Sequence, residues 1–168
     1  MSAALAPAWL AAPPVAVRTL YLHPGRVLVS AEPVLLTTIL GSCVAMCLWD
    51  DVAGLGGVNH FLLAEASEAG GSPRYARPAF VELRDQLVAL GASPWRLRAK
   101  LFGGASLNPG ASGASAIGLR NVEAARRLLE QAPIPVLAED VGGCHGRKLI
   151  FETHTGHAWV RALAAGRP

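Results

Sequence analysis

The stretch Ser42 to Asp50 (S-C-V-A-M-C-L-W-D) constrains the fold most, because it is apolar at both odd and even positions. A strand that meets water on one face alternates apolar with polar residues. This run does not alternate. It fits a strand covered on both faces, or a buried helix segment with the same pattern. Gly41 breaks the chain just before it. Asp50-Asp51-Val52-Ala53-Gly54 offers a reversal, and Gly56 to Leu63 (G-G-V-N-H-F-L-L) reads as the return strand.

The flanking chain supplies further layers. Arg18 to Leu22 and Arg26 to Ser30 read as short strands around His23-Pro24-Gly25, and Val34 to Thr38 as a third. After a polar loop from Ala64 to Pro73, Phe80, Leu83, Leu87 and Leu90 form a helical stripe that Gly91 stops. Arg96 to Phe102 alternates basic with apolar, as a half-buried strand does, and Gly103-Gly104 ends it. Asn108 to Ser115 is a Gly/Ala/Ser loop. Asn121 is a candidate N-cap, with Glu123 in the first turn of a helix to about Gln131 and an apolar stripe of Val122, Ala125, Leu128 and Leu129. Val136 to Val141 resumes as a strand, Gly142 to Gly146 is a tight loop, and Lys148 to Thr153 with His157 to Leu163 form a last hairpin around Thr155-Gly156. Two helices among these strands give an α+β layered sandwich.

Composition bounds the partners. At 168 residues with 52% apolar and 16% charged residues, the chain reads as one globular domain with a real core. The net charge of +3 is mild and mostly arginine; Lys100 and Lys148 are the lysines. It suits an acidic partner surface and is not the basic stripe of a nucleic-acid binder. Three cysteines (Cys43, Cys47 and Cys144) are odd in number and too few for a disulfide scaffold, so a reduced cytoplasmic compartment is expected. Met1 to Val17 is Ala/Pro-rich and interrupted by Pro7, Pro13 and Pro14, unlike a signal peptide or a membrane span. The expected organisation is a flexible tail over 1–17, one domain over 18–163 and a short tail over 164–168.

The hairpin brings chemistry into view. Opposed residues in an antiparallel pair have position numbers with a constant sum. The register that sets Trp49 against Gly54 sets Cys43 against His60 and closes on Asp50 to Ala53. Directly opposed side chains have Cβ atoms about 4.5–5.5 Å apart. A thiol near its free pKa is mostly protonated at neutral pH, and a neighbouring imidazolium would lower it and yield the thiolate nucleophile. The same histidine can protonate a leaving amine. A third group commonly orients the ring. Thr37 and Thr38 are the candidates, and Thr37 shares the parity of Cys43 if the backbone stays extended. Amides of the Gly41-Ser42-Cys43 turn are candidate oxyanion donors. Against this stands the commoner fate of a free cysteine, a small buried hydrophobe.

Ordered motifs extend the reading. Thr37 to Val44, ending L-G-S-C-V, is followed by G-G-V-N-H-F-L-L over 56–63, A-K-L-F-G-G-A over 99–105, I-G-L-R-N-V over 117–122, Gly142-Gly143 with Gly146-Arg147-Lys148, and Thr155-Gly156. Together they resemble the chemoreceptor glutamine deamidase family, CheD, from about Arg18 to Leu163. The resemblance implies a three-layer α/β/β sandwich and a cofactor-free Cys-His-Thr site that hydrolyses glutamine side-chain amides of methyl-accepting chemoreceptors. Carried over, Cys43 is the nucleophile, His60 the base and acid, and Thr37 the orienting residue, with Ser42 and Gly41 in support. The family often has a proline soon after the histidine strand, where this chain has Ala64-Glu65. Some members bind a CheC-type phosphatase or act on receptor methyl esters. The competing class is a non-enzymatic chemotaxis adaptor that binds receptors or such a phosphatase.

Other features have plainer readings. Cys43, Cys47, His60 and Cys144-His145 lack the paired spacing of a zinc site. Cys144-His145 is the rival nucleophile pair, but neighbours in an extended chain point apart. Gly103-Gly104-Ala105-Ser106 lacks the ending of a phosphate loop. Arg96, Arg98 and Lys100 share one parity and form either a basic face for an acidic receptor helix or a solvated sheet face.

Overall fold

A computed structural model describes residues 17–65, 71–106 and 116–164. The tails expected over 1–17 and 164–168 and the Asn108–Ser115 loop lie almost wholly outside these. The element order is β1 (Arg18–Tyr21), β2 (Val27–Ser30), β3 (Val34–Leu40), β4 (Val44–Asp50), β5 (Leu55–Asn59), α1 (Ala76–Leu90), β6 (Arg98–Gly103), α2 (Ala116–Gln131), β7 (Val136–Val141), β8 (Arg147–Glu152) and β9 (Ala158–Ala162). Four strands form one sheet in the order β1-β3-β8-β9, and five form the other in the order β2-β5-β4-β6-β7. Both helices pack on the five-stranded sheet. The layers are therefore helices, five-stranded sheet, four-stranded sheet. This is an α+β sandwich of three layers.

The two-faced run explains that order. Every residue of β4 is buried. Val44, Met46 and Leu48 join the helix-side core with Phe80, Leu83, Leu87, Val122, Ala125 and Leu129. Ala45, Cys47 and Trp49 join the inter-sheet core with Leu36, Leu40, Phe102, Leu149 and Phe151. A central strand between two cores has no wet face, so its sequence does not alternate. β1 and β2 flank the His23-Pro24-Gly25 turn as expected but go to different sheets: β1 pairs parallel with β3, and β2 antiparallel with β5.

Four expectations change. The apolar stripe of α1 stops at Leu87, and Leu90 is exposed. Gly91 ends the helix in the left-handed region, at φ 112. α2 starts at Ala116, so Asn121 is inside the helix and not at its cap, and no acidic residue lies in the first turn. Gly118 permits this entry, since a Cβ there would meet the Gly104 carbonyl at 2.4 Å. Arg96, Arg98 and Lys100 do not form a free basic face. Arg96 pairs with Asp50, Arg98 caps the Arg96 and Leu97 carbonyls, and Lys100 Nζ donates to the Gly156 carbonyl at 2.7 Å beneath the Trp49 ring. The hairpin loop is Asp51–Gly54, because Asp50 pairs with Leu55 and Trp49 with Gly56.

Asp50 fixes that loop. Its Oδ1 accepts the Val52 and Ala53 amides, both at 3.1 Å, and its Oδ2 accepts the Ser93 amide and Arg96 Nη2, both at 2.8 Å. Burial pushes the carboxyl up, but the Arg96 hydrogen bond and these amides outweigh it and hold the pKa at about 2. Replacing Asp50 with alanine leaves several donors unpaired, so Asp50→Ala is expected to cost about 2–4 kcal/mol in urea unfolding. A cost below about 0.5 kcal/mol would put Asp50 among ordinary surface residues.

Candidate active site

Cys43 and His60 lie on the same face of neighbouring segments at one end of the inter-sheet layer. β4 and β5 pair Cys47 with Val58, and the isolated bridge Val44–Phe61 continues that register. The pairing is displaced by two residues from the expected one. A shift of two keeps every side chain on its face, whereas a shift of one would have reversed them. Cys43 is thus diagonal to His60 on the inner face, not directly opposite, and no hydrogen bond joins them among the described residues. Diagonal neighbours lie about 7–8 Å apart between backbones, within reach of long side chains.

The histidine is held tightly. Its amide donates to the Arg26 carbonyl at 3.0 Å and its carbonyl accepts the Gly25 amide at 2.7 Å. Toward β4, the Asn59 side chain takes the ladder position and accepts the Met46 amide at 2.9 Å. Phe61 then returns to β4, exchanging hydrogen bonds with Val44 at 3.0 and 3.1 Å. His60 is only 1% exposed.

The threonine that hydrogen-bonds His60 is Thr38, not the expected Thr37. Thr38 Oγ1 lies 2.9 Å from His60 Nδ1. Thr37 Oγ1 instead donates to the Leu149 carbonyl at 2.9 Å. Parity within one strand favoured Thr37, but β3 and β4 belong to facing sheets. On β3 the even positions Val34, Leu36 and Leu40 point into the inter-sheet core, while on β4 the odd positions do. The bend over 41–43 carries the chain between the sheets and exchanges the parity.

The hydrogen bonds assign the imidazole tautomer. Thr38 Oγ1 also lies 2.8 Å from the Leu22 carbonyl, which can only accept. The single hydroxyl proton therefore goes to Leu22, and toward His60 the oxygen accepts. Nδ1 must carry hydrogen, which leaves Nε2 as the bare, basic nitrogen. Burial holds the imidazole down, at about 4, and burial pushes the Cys43 thiol up, an effect its own backbone amide partly offsets. The resting pair is therefore neutral, in place of the expected imidazolium and thiolate. Nε2 can take the thiol proton as sulfur attacks.

This predicts a pH signature of stability. Between pH 6.5 and about 4 the unfolded chain protonates His60 and the folded chain does not. Stability therefore falls as pH falls through that window, by up to about 3 kcal/mol, and His60 contributes no slope above it. Urea unfolding from pH 7.5 to 4 should show this slope in the parent and not in His60→Ala. Equal slopes would contradict the assignment.

The turn that carries Cys43 is held by its carbonyls. Gly41 O accepts the Ala105 amide at 2.9 Å, Ser42 O accepts Asn121 Nδ2 at 2.9 Å, and Cys43 O accepts the Gly104 amide at 2.8 Å. In a trans peptide the N–H points opposite the C=O. The Ser42 and Cys43 amides therefore face away from these anchors, and among the described residues neither donates to a backbone carbonyl. Gly103 makes the anchoring possible: its φ is 108, and a Cβ there would lie 2.2 Å from the Cys43 carbonyl.

The remaining candidates fall elsewhere. Cys47 is fully buried between the sheets, and burial pushes its thiol up strongly. Cys144 Sγ lies 3.2 Å from His145 Nδ1 on the exposed surface. The two do not point apart, because Gly142 and Gly143 have φ of 76 and 71 and turn the chain there. Among the described residues no three His, Cys, Asp or Glu side chains converge on a metal site. None of the described helices is long and apolar enough to cross a membrane. Asn121 bonds to the turn that carries Cys43, a placement its sequence does not signal, because Asn before an apolar helix reads first as a cap.

A half-buried thiol, a buried imidazole with a fixed tautomer and two backbone amides turned away from the anchored carbonyls can together carry out cysteine-dependent acyl transfer. The family model described as "CheD chemotactic sensory transduction" matches residues 62–162. The chain is 51% identical over 143 residues to "Probable chemoreceptor glutamine deamidase CheD 1" of Anaeromyxobacter dehalogenans, covering 85% of this chain and 84% of that one. It is 47% identical over 141 residues to "Probable chemoreceptor glutamine deamidase CheD" of Trichlorobacter lovleyi, covering 83% and 88%. The chain belongs to the CheD family. Among solved structures it is similar to the Bacillus licheniformis hypothetical protein YfiH, with a TM-score of 0.46 and 20% identity over 67% of this chain and 49% of that one.

Proposed function

We propose that this chain is a protein-glutamine deamidase. It hydrolyses side-chain amides of chemoreceptor cytoplasmic segments to glutamate and ammonia. The observation that carries the reading is the Leu22–Thr38–His60 hydrogen-bond chain, which leaves Nε2 basic on the face that Cys43 shares. Cys43 Sγ attacks the glutamine amide carbon as its proton passes to His60 Nε2. The oxyanion forms against the Ser42 and Cys43 amides. His60 gives that proton to the leaving nitrogen, ammonia departs, and a thioester remains on Cys43. A water then attacks the thioester carbon as Nε2 takes its proton. The C–S bond breaks, glutamate leaves, and the proton returns to sulfur. Thr38 holds the ring throughout. The family names of its relatives favour chemoreceptors as substrate.

The test is incubation with a purified receptor cytoplasmic fragment. The expected result is ammonia release with matching Gln-to-Glu conversion in the peptide masses. Binding of the fragment with no conversion over many hours would favour a non-enzymatic adaptor.

A further inference from the structure

We propose that Asn121 is a positioning residue that couples the Cys43 turn to the end of the His60 strand; this rests on the deamidase reading. Asn121 sits one-third of the way along α2 and is fully buried. Its Nδ2 donates twice, to Ser42 O at 2.9 Å and to Leu62 O at 2.8 Å. The first acceptor precedes the nucleophile by one residue, and the second follows the histidine by two. One amide nitrogen thus ties together the two segments that carry the reacting groups.

Two further features accompany the double hydrogen bond. Both acceptors are carbonyls, so the amide must present its nitrogen to them, and its Oδ1 has no protein hydrogen-bond partner among the described residues. The Ser42 carbonyl shares its peptide plane with the Cys43 N–H, so a bond that holds this carbonyl also holds the direction of a proposed oxyanion donor. The backbone bridge Val44–Phe61 ties the same two chains on the other side of the Cys43 position, and the Asn121 clamp completes the pair. Nothing else among the described residues bonds to the Ser42 carbonyl.

The experiment uses the full chain with Cys144→Ser, which removes the exposed thiol; Cys47 is buried. Alkylation of Cys43 by iodoacetamide is timed with and without His60→Ala. This is done in the parent, in Asn121→Ser, whose short side chain cannot span both carbonyls, and in Asn121→Asp, which has the shape but no donor. In the parent, His60→Ala is expected to slow alkylation by about tenfold. In both Asn121 variants its effect should shrink to less than about twofold, because the two segments are no longer held together. In the receptor-fragment assay the same variants should lose about 10–30-fold in kcat, with KM within about threefold. An undiminished His60 effect in a folded Asn121 variant overturns the proposal. So does unfolding of both variants by circular dichroism, which assigns Asn121 to the framework alone. Alkylation needs no receptor. A parent that alkylates normally but fails to deamidate therefore refutes the deamidase reading and leaves the clamp to be decided by the alkylation cycle.

Discussion

A Cys43→Ala protein should lose glutamine deamidation by about 10⁴-fold or more while keeping its fold. The size of the loss follows from the chemistry. Without the thiol no thioester can form, and a buried neutral His60 has only water to activate. The backbone amides of the turn and substrate binding remain, so a small residual rate above buffer is expected. Stability should change little, because Cys43 is half-buried at the mouth of the inter-sheet layer and touches its core from outside. Cys43→Ser should be nearly as inactive, since a hydroxyl is a far weaker nucleophile beside an imidazole held at about 4. Initial rates with a receptor fragment, beside urea unfolding, separate the two effects. A Cys43→Ala protein that unfolds at the parent's midpoint and still turns over within tenfold would remove Cys43 from the mechanism.

Thr38→Val should lower kcat by about 10²-fold, and Thr37→Val should leave it within about twofold. Valine keeps the shape of threonine and removes the acceptor for Nδ1–H. The ring can then carry its proton on either nitrogen, and the tautomer with hydrogen on Nε2 cannot take the thiol proton. The Leu22 carbonyl also loses its hydroxyl donor, so some loss of stability accompanies the loss of rate. Thr38→Ser restores the hydroxyl and should recover most of the rate. Thr37 bonds to Leu149 O in the four-stranded sheet and touches neither reacting group. Equal losses in the two valine variants would contradict the assigned hydrogen-bond chain.

The layering was legible in the residues themselves. Ser42 to Asp50 lacks alternation because β4 lies between two cores. The stripes of α1 and α2 follow helical spacing because each has one wet side. The pairing of a cysteine turn with a histidine strand was also legible, since the error of two residues in register preserves faces. What could not be read was anything that depends on the second sheet. Thr37 and Thr38 differ only in which sheet face they take, and the crossing at 41–43 decides it. Asn121 is an excellent cap by local preference, but two carbonyls distant in sequence hold it inside the helix. The neutral charge state of the pair likewise comes from burial by the facing sheet, to which no residue near Cys43 or His60 in sequence points.

Deamidation through Cys43 requires a thioester on its sulfur, and an intact-mass measurement detects it. A receptor fragment with a susceptible glutamine is mixed with the parent protein, quenched in acid at short times and weighed intact. The expected species is a transient adduct of protein plus fragment minus ammonia, located on the peptide that contains Cys43, which decays as glutamate appears. Cys43→Ala should show neither adduct nor product. Glutamate formed by Cys43→Ala at the parent's rate would contradict deamidation through Cys43.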